Sequence, residues 1–238
     1  MQKTKLDRFI QKYNLNGNVN SVKWTSKDDT LRTTFVTSDK SLMGSVTVDN
    51  VQFDEGDVGI YTTDLLQRLL GVLGDDVTLN VSKFGDKAVS LKVQNGTVSI
   101  DYTLSDLSVI PDPPTLKRVP EFQTNIKIDS HFIDTFIKGK SALSDAETFT
   151  LITGDETQVV IGYASTNTNR VNIPVETTTN GLTDNISFNA NLFRDVLSAN
   201  KECTSAVLEI SNDGLLRVNF KVDDYDSTYY LVAIQSVD

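Results

Sequence analysis

Between residues 6 and 13 the apolar side chains Leu6, Phe9, Ile10 and Tyr13 recur at steps of three and four. That spacing gathers them on one face and predicts an amphipathic helix over about Met1–Asn14. The rhythm then changes to period two in Leu31–Val36, Val46–Val48 and Val58–Ile60, which predicts strands with one buried side. A second helix is predicted over about Thr63–Leu73, opened by an Asp/Thr cap, with Leu65, Leu66, Leu69, Leu70 and Leu73 on one side. Three more strands follow, Val77–Ser82, Lys87–Val93 and Thr97–Leu104, joined by turns at Phe84-Gly85-Asp86 and Gln94-Asn95-Gly96.

The same order returns in the second half. Leu6-Asp7-Arg8-Phe9-Ile10 superposes on Ile133-Asp134-Thr135-Phe136-Ile137, and at the same offset Asp64-Leu65-Leu66 falls on Asn191-Leu192-Phe193. After small insertions Leu79, Val81, Gly85, Val89 and Leu91 fall on Leu208, Ile210, Gly214, Val218 and Phe220, and Tyr102 meets Tyr230. Order is kept throughout and each insertion falls between elements, so the chain reads as a tandem duplication. Each repeat is helix, three strands, helix, three or four strands. The second has an extra leading strand, Gln123–Ile128, for which the first offers only Met1–Thr4. Four of the five prolines, Pro111, Pro113, Pro114 and Pro120, crowd into one semi-extended stretch. The expected organisation is a domain over 1–110, a Pro-rich connector over 111–120 and a domain over 121–238. Each domain is expected to be α+β, two helices packed on an antiparallel sheet.

Charge changes this picture. The chain has 238 residues, with 22 Lys+Arg against 32 Asp+Glu and a net charge of −10, which argues against a basic coat for nucleic acid and against a membrane-surface binder. No apolar run approaches a membrane span, and the charged first helix does not read as a signal peptide, so the expected location is the cytoplasm. Partitioned by element, however, the four predicted helices, with the last taken to Lys201, carry +5 and the remainder −15. Lys5, Arg8 and Lys12 form a stripe beside the apolar face of the first helix, with Lys3 just before it. Such a stripe is a footprint for phosphates, with contact that depends on salt and ignores sequence.

Candidate chemistry is sparse. One cysteine, Cys203, excludes an intrachain disulfide and is read as structural, and one histidine, His131, at a helix start, is read the same way. A Cys/His zinc site cannot be assembled from one of each. Paired carboxylates such as Asp28-Asp29, Asp75-Asp76 and Asp223-Asp224 fall in turns without the spacing of a calcium loop, and Gly139-Lys140-Ser141 lacks the upstream glycine of a phosphate loop. No catalytic residue, metal or cofactor is expected, and the protein is read as not an enzyme. A structural protein of duplicated β-rich domains, as in a phage particle, is the alternative; it would have no reason to segregate cations onto helices.

Local sequence carries a resemblance. The run Val51-Gln52-Phe53-Asp54-Glu55-Gly56-Asp57-Val58-Gly59-Ile60-Tyr61-Thr62-Thr63-Asp64-Leu65 is similar to the short strand leading into an Asp-Leu helix in the DNA polymerase sliding clamps of T-even-type bacteriophages. The ending Tyr229-Tyr230-Leu231-Val232-Ala233-Ile234 is similar to their last strand. With its duplication and Pro-rich connector, the chain resembles the sliding-clamp family that also includes proliferating cell nuclear antigen.

The resemblance implies a homotrimeric, pseudo-six-fold ring around duplex DNA, which tethers the replicative polymerase and makes it processive. It implies double-stranded DNA, a second and third copy of the chain, the polymerase and an ATP-dependent clamp loader as partners, with further replication or late-transcription proteins. A viral clamp would work in the host cell's cytoplasm. By position the DNA-facing set is Lys3, Lys5, Arg8, Lys12, Arg68, Lys138, Lys140, Arg194 and Lys201. Subunits are expected to join by strand pairing between about Thr97–Leu107 and Thr168–Val175. A partner-peptide pocket between the domains would draw on Leu42, Val109, Ile110, Pro111, Ile234 and Val237.

Overall fold

The computed structural model describes residues 1–116, 118–153, 157–163 and 168–234, with the backbone alone at Asn180. They form two compact units. Unit 1 comprises Met1–Ser38, Gly44–Pro114 and Asp223–Ser227, and unit 2 comprises Asp39–Met43, Thr115–Val222 and Thr228–Asp238.

Unit 1 holds helix α1 (Lys3–Asn14), strands β1 (Val22–Lys27), β2 (Thr30–Val36), β3 (Leu42–Val48) and β4 (Gly56–Ile60), helix α2 (Thr63–Leu70), and strands β5 (Thr78–Phe84), β6 (Lys87–Asn95) and β7 (Val98–Thr103). The strands lie in the orders β4-β1-β2-β3 and β5-β6-β7. Four strands, not three, separate the helices. The extra one is β1, whose alternation buries Val22, Trp24 and Ser26 while Thr25 and Lys27 stay outside. Leu6, Phe9, Ile10 and Tyr13 are all buried, and Phe9 and Tyr13 meet Trp24 edge to face at 5.6 and 6.4 Å. Such aromatic contacts add about 0.5–1.5 kcal/mol each beyond area burial. Burial pushes the Tyr13 phenol well above its usual range, and its hydroxyl lies 3.3 Å from Thr63 Oγ1.

Helix α2 departs from the sequence reading in three ways. It ends at Leu70, with Leu73 buried in the following turn. Its buried side is Thr63, Leu66 and Leu70, whereas Leu65 is 41% exposed. Thr62 makes no side-chain cap; Asn20, in the loop after α1, accepts from the Asp64 N–H at 3.0 Å through Oδ1 and from the Thr63 N–H at 2.9 Å through its carbonyl. A residue more than 40 positions upstream thus satisfies the helix's orphan donors.

The two sheets of unit 1 are tied where the Ser105 N–H donates to the Gly59 carbonyl at 2.9 Å. A Cβ at Gly59 would stand 2.5 Å from the Ser105 carbonyl oxygen. Gly59→Ala is therefore expected to cost about 1–3 kcal/mol, read from urea unfolding, because backbone must move to make room.

Unit 2 holds strand β8 (Thr124–Asp129), helix α3 (Ser130–Ala142), strands β9 (Thr148–Ile152), β10 (Gln158–Ile161), β11 (Val171–Pro174), β12 (Thr177–Asn180) and β13 (Ile186–Asn189), helix α4 (Ala190–Ala199), and strands β14 (Ser205–Ile210), β15 (Leu215–Val222) and β16 (Tyr225–Val232). Tyr225–Ser227 of β16 count with unit 1, as Leu42 and Met43 of β3 count with unit 2. The orders β13-β9-β10-β11 and β14-β15-β16 reproduce those of unit 1, and β8 and β12 extend the second sheet beyond β14. Helices α3 and α4 are capped conventionally, by Asp129 to Phe132 N–H at 2.8 Å and Asn189 to Leu192 N–H at 3.0 Å. Phe136, Phe149, Phe188 and Phe193 form the centre of the core, all 0% exposed.

The strand that pairs with β14 in unit 2 has a vestige in unit 1. Gln2 bridges Asp76, and the Val77 N–H donates to the Met1 carbonyl at 2.9 Å, just ahead of β5. The duplication read from sequence is thus present in both units, except that five strands, not three, separate the helices of unit 2 and β12 has no counterpart in unit 1.

Candidate nucleic-acid interface

With the observed helix bounds, α1 carries four cations and one anion, α2 one of each, α3 two cations and one anion, and α4 one of each. The helices hold +4 of a chain at −10, one less than the sequence reading, because Lys201 lies beyond the end of α4.

The candidate cations fall into three groups. Arg68 on α2, Lys138 on α3 and Lys201 after α4 are exposed and make no ion pair among the described residues. A second group is exposed in part and already engaged. Lys3 pairs with Asp7 at 2.7 Å, Arg194 with its neighbour Asp195 at 2.8 Å, Arg8 with Asp223 at 3.0 Å, and Lys5 with Asp224. The last two acids come from the β15–β16 turn, which counts with unit 1. The Lys5 ammonium, helped by the Asn50 amide, holds the Asp224 carboxyl below its usual range.

The third group is buried. Lys12 is 1% exposed, with Nζ 5.3 Å from the centre of the Tyr225 ring, a cation–π distance. Lys140 is 2% exposed, and its Nζ donates to the carbonyls of Ser144 at 2.8 Å and Leu143 at 3.4 Å past the end of α3. Burial pushes its ammonium below the usual range, with Arg194 acting in the same sense. Neither ammonium stands on the solvent side of its helix. Sequence spacing placed Lys12 on the stripe with Lys5 and Arg8; the Tyr225 ring beside it comes from the start of β16, more than 200 residues later, which spacing cannot reveal.

Six strands end their sheets among the described residues, β4, β5 and β7 in unit 1 and β11, β12 and β13 in unit 2. Of these, β7 and β11 lie inside the segments expected to join subunits. Helix α2 packs against β7 and leaves Leu65 and, just past its end, Val72 exposed at 41% and 66%. Open backbone donors and acceptors next to exposed apolar side chains are a template for another chain.

Of the residues expected to hold a partner peptide, Val109 and Pro111 are exposed and Ile110 is buried in unit 1, while Leu42 is buried and Ile234 exposed in unit 2. Val237 lies outside the described residues. Cys203 is buried, its thiol directed at the Ser205 carbonyl at 3.3 Å, and His131 is exposed in the first turn of α3. No group of three or more His, Cys, Asp and Glu is arranged to hold a metal ion, and no helix is long and apolar enough to cross a membrane, among the described residues.

No protein-family model matches the chain, and no curated protein matches it in sequence. Solved structures do. The chain is similar to the proliferating cell nuclear antigen of Entamoeba histolytica, with a TM-score of 0.73 and 16% identity, over 99% of this chain and 97% of that one. It is similar also to the PCNA of A. fulgidus bound to the C-terminal region of FEN-1, with a TM-score of 0.76 and 13% identity, over 100% and 98% of the two chains. The likeness is one of fold and runs from end to end. The chain has the duplicated α+β fold of a PCNA-like sliding clamp.

Proposed function

We propose that the protein is a DNA polymerase sliding clamp: three copies close a ring around duplex DNA and tether the replicative polymerase. The observation that carries this reading is the end-to-end likeness of fold to two clamps. The open edges of β7 and β11, one in each unit, support head-to-tail closure by strand pairing. The mechanism is topological. A closed ring cannot leave duplex DNA without opening, so its inner surface needs only weak contact with phosphates, and +4 on the helices suffices. The remaining −14 repels duplex DNA elsewhere on the surface and leaves the hole as the favourable place for it.

Within the DNA-facing set, Arg68, Lys138 and Lys201 supply open charge, Lys3, Lys5, Arg8 and Arg194 supply charge that must first exchange partners, and Lys12 and Lys140 serve mainly to fix α1 and α3. The A. fulgidus neighbour carries the C-terminal region of FEN-1. We assign the same kind of partner here, a short apolar peptide of the polymerase or another replication protein, to which the exposed Val109, Pro111 and Ile234 are offered, whereas Leu42 and Ile110 are buried. An ATP-dependent loader opens the ring, and the chemistry stays with the partners, the clamp itself needing no cofactor. The likeness of the runs from Val51 to Leu65 and from Tyr229 to Ile234 to phage clamps favours a bacteriophage setting, in which the clamp works in the cytoplasm of its host.

Two measurements test the reading. Light scattering after size exclusion is expected to give the mass of three chains, and a monodisperse monomer at tens of micromolar would count heavily against the ring. Arg68→Glu, Lys138→Glu and Lys201→Glu combined is expected to leave the trimer intact and to reduce loader-dependent processive synthesis by about tenfold or more, because three cations that meet phosphates become anions that repel them. Unchanged synthesis removes these residues from the DNA face.

A further inference from the structure

The β15–β16 turn does more than reverse the chain. Its acids meet α1 through a set of contacts within unit 1. Arg8 Nη1 donates to Asp223 Oδ2 at 3.0 Å, and Lys5 Nζ donates to Asp224 Oδ2 and to the Asn50 carbonyl at 3.2 Å. Asn50 Nδ2 holds the other Asp224 oxygen at 3.2 Å, and the Asp49 N–H donates to the Asp224 carbonyl at 3.0 Å. The Tyr225 hydroxyl donates to the Lys5 carbonyl at 2.8 Å, and its ring lies 4.6 Å from the Arg8 guanidinium carbon. The turn is thus bonded to the α1 backbone as well as to its cations, so the acids stay beside Lys5 and Arg8. These pairs are not sealed from water: the Arg8 and Asp223 side chains are 32% and 66% exposed, those of Lys5 and Asp224 18% and 42%.

We propose that Asp223 and Asp224 are positioning residues that stand in for DNA phosphates, holding Lys5 and Arg8 and keeping the contact of α1 with duplex DNA loose. This rests on the clamp reading above. A carboxylate presents the same kind of acceptor to a guanidinium or an ammonium as a phosphate does. Each cation that reaches a phosphate releases counterions and adds about 0.9 to the slope of log affinity against log salt. A cation that must leave a carboxylate first gives back part of that gain. Exposed ion pairs are weak enough to exchange, so Lys5 and Arg8 remain available in passing and do not grip. Arg68, Lys138 and Lys201, with no such partner among the described residues, lack this restraint. A ring that must slide gains from cations whose resting partner moves with it.

The test uses the full-length protein and a short fluorescent duplex, with binding followed by anisotropy across a sodium chloride series. Light scattering and thermal unfolding of each variant confirm that it assembles and folds as the unaltered protein does. Asp223→Asn with Asp224→Asn is expected to raise duplex affinity about tenfold at low salt and to steepen the salt slope by about 1 to 2. In a Lys5→Gln, Arg8→Gln background the same pair is expected to change nothing, which ties the effect to these cations. Asp184→Asn with Asp213→Asn, two exposed acids of unit 2, alters net charge equally and is expected to leave affinity within about twofold. A gain as large from Asp184 and Asp213, or one that survives loss of Lys5 and Arg8, overturns the proposal in favour of bulk charge. Salt-dependent binding by the unaltered protein with no gain from Asp223 and Asp224 overturns this proposal and leaves the clamp reading standing. Absence of salt-dependent binding in every protein, together with a monomeric state, overturns both.

Discussion

Asp101→Pro in β7 is expected to turn the proposed trimer into monomers at micromolar concentration while leaving the circular dichroism spectrum nearly unchanged. The Leu104 N–H donates to the Val89 carbonyl at 3.0 Å, and Leu91 faces Tyr102 in the same antiparallel ladder. Hydrogen-bonded and non-bonded pairs alternate along such a ladder. Ser99, Asp101 and Thr103 therefore turn their backbone groups away from β6, toward the open side. Proline at 101 removes a donor that β6 does not use and puts a ring in the path of an incoming strand. Leaving one acceptor of the neighbouring chain unpaired costs about 1–3 kcal/mol, so assembly is expected to weaken by up to about a hundredfold. Retention of the trimer mass by this variant would show that β7 is not where subunits meet.

The second large effect belongs to the core of unit 2. Phe149 is 0% exposed and its ring lies 4.8 Å from Phe193, 5.2 Å from Phe136 and 5.6 Å from Phe188. Phe149→Ala empties the centre of this cluster and is expected to cost about 3–5 kcal/mol, seen as a lower urea midpoint. Phe84, 83% exposed at the tip of the β5–β6 hairpin, provides the contrast. Phe84→Ala is expected to change stability by no more than about 0.5 kcal/mol. Equal losses from the two changes would contradict the assignment of the core.

Sequence periodicity was informative where one residue's fate is decided by its near neighbours. The α1 face of Leu6, Phe9, Ile10 and Tyr13 is buried as its spacing implies, and the repeated order of elements recurs in both units. It failed on β1 because Val22 and Trp24 are the only strongly apolar members of an otherwise polar alternation, too few to stand out. It overburied Leu65 because five leucines in one short stretch fill more of the helix circumference than the sheet beneath covers. The charge stripe was legible as composition and not as environment. Nothing near Lys5, Arg8 and Lys12 in sequence announces Asp223, Asp224 and Tyr225, and only the fold brings them together. The same holds for Asn20 at the start of α2, where the local Thr62 and Asp64 offered a plausible cap that the chain does not use.

The open edge of β11 contains Pro174, and the pairing of Val175 N–H with the Thr157 carbonyl puts Pro174 among the residues that turn away from β10. That edge offers acceptors and is short of donors, whereas β7 offers donors at Ser99, Asp101 and Thr103. Each edge is complemented by the other better than by itself, so in the proposed ring copies would join unlike edge to unlike edge and all point the same way around the axis. A closed assembly of that kind has two dissimilar sides. Any protein riding on such a proposed ring would be met by the same side at each encounter, and a duplex running through it would acquire a forward and a backward end.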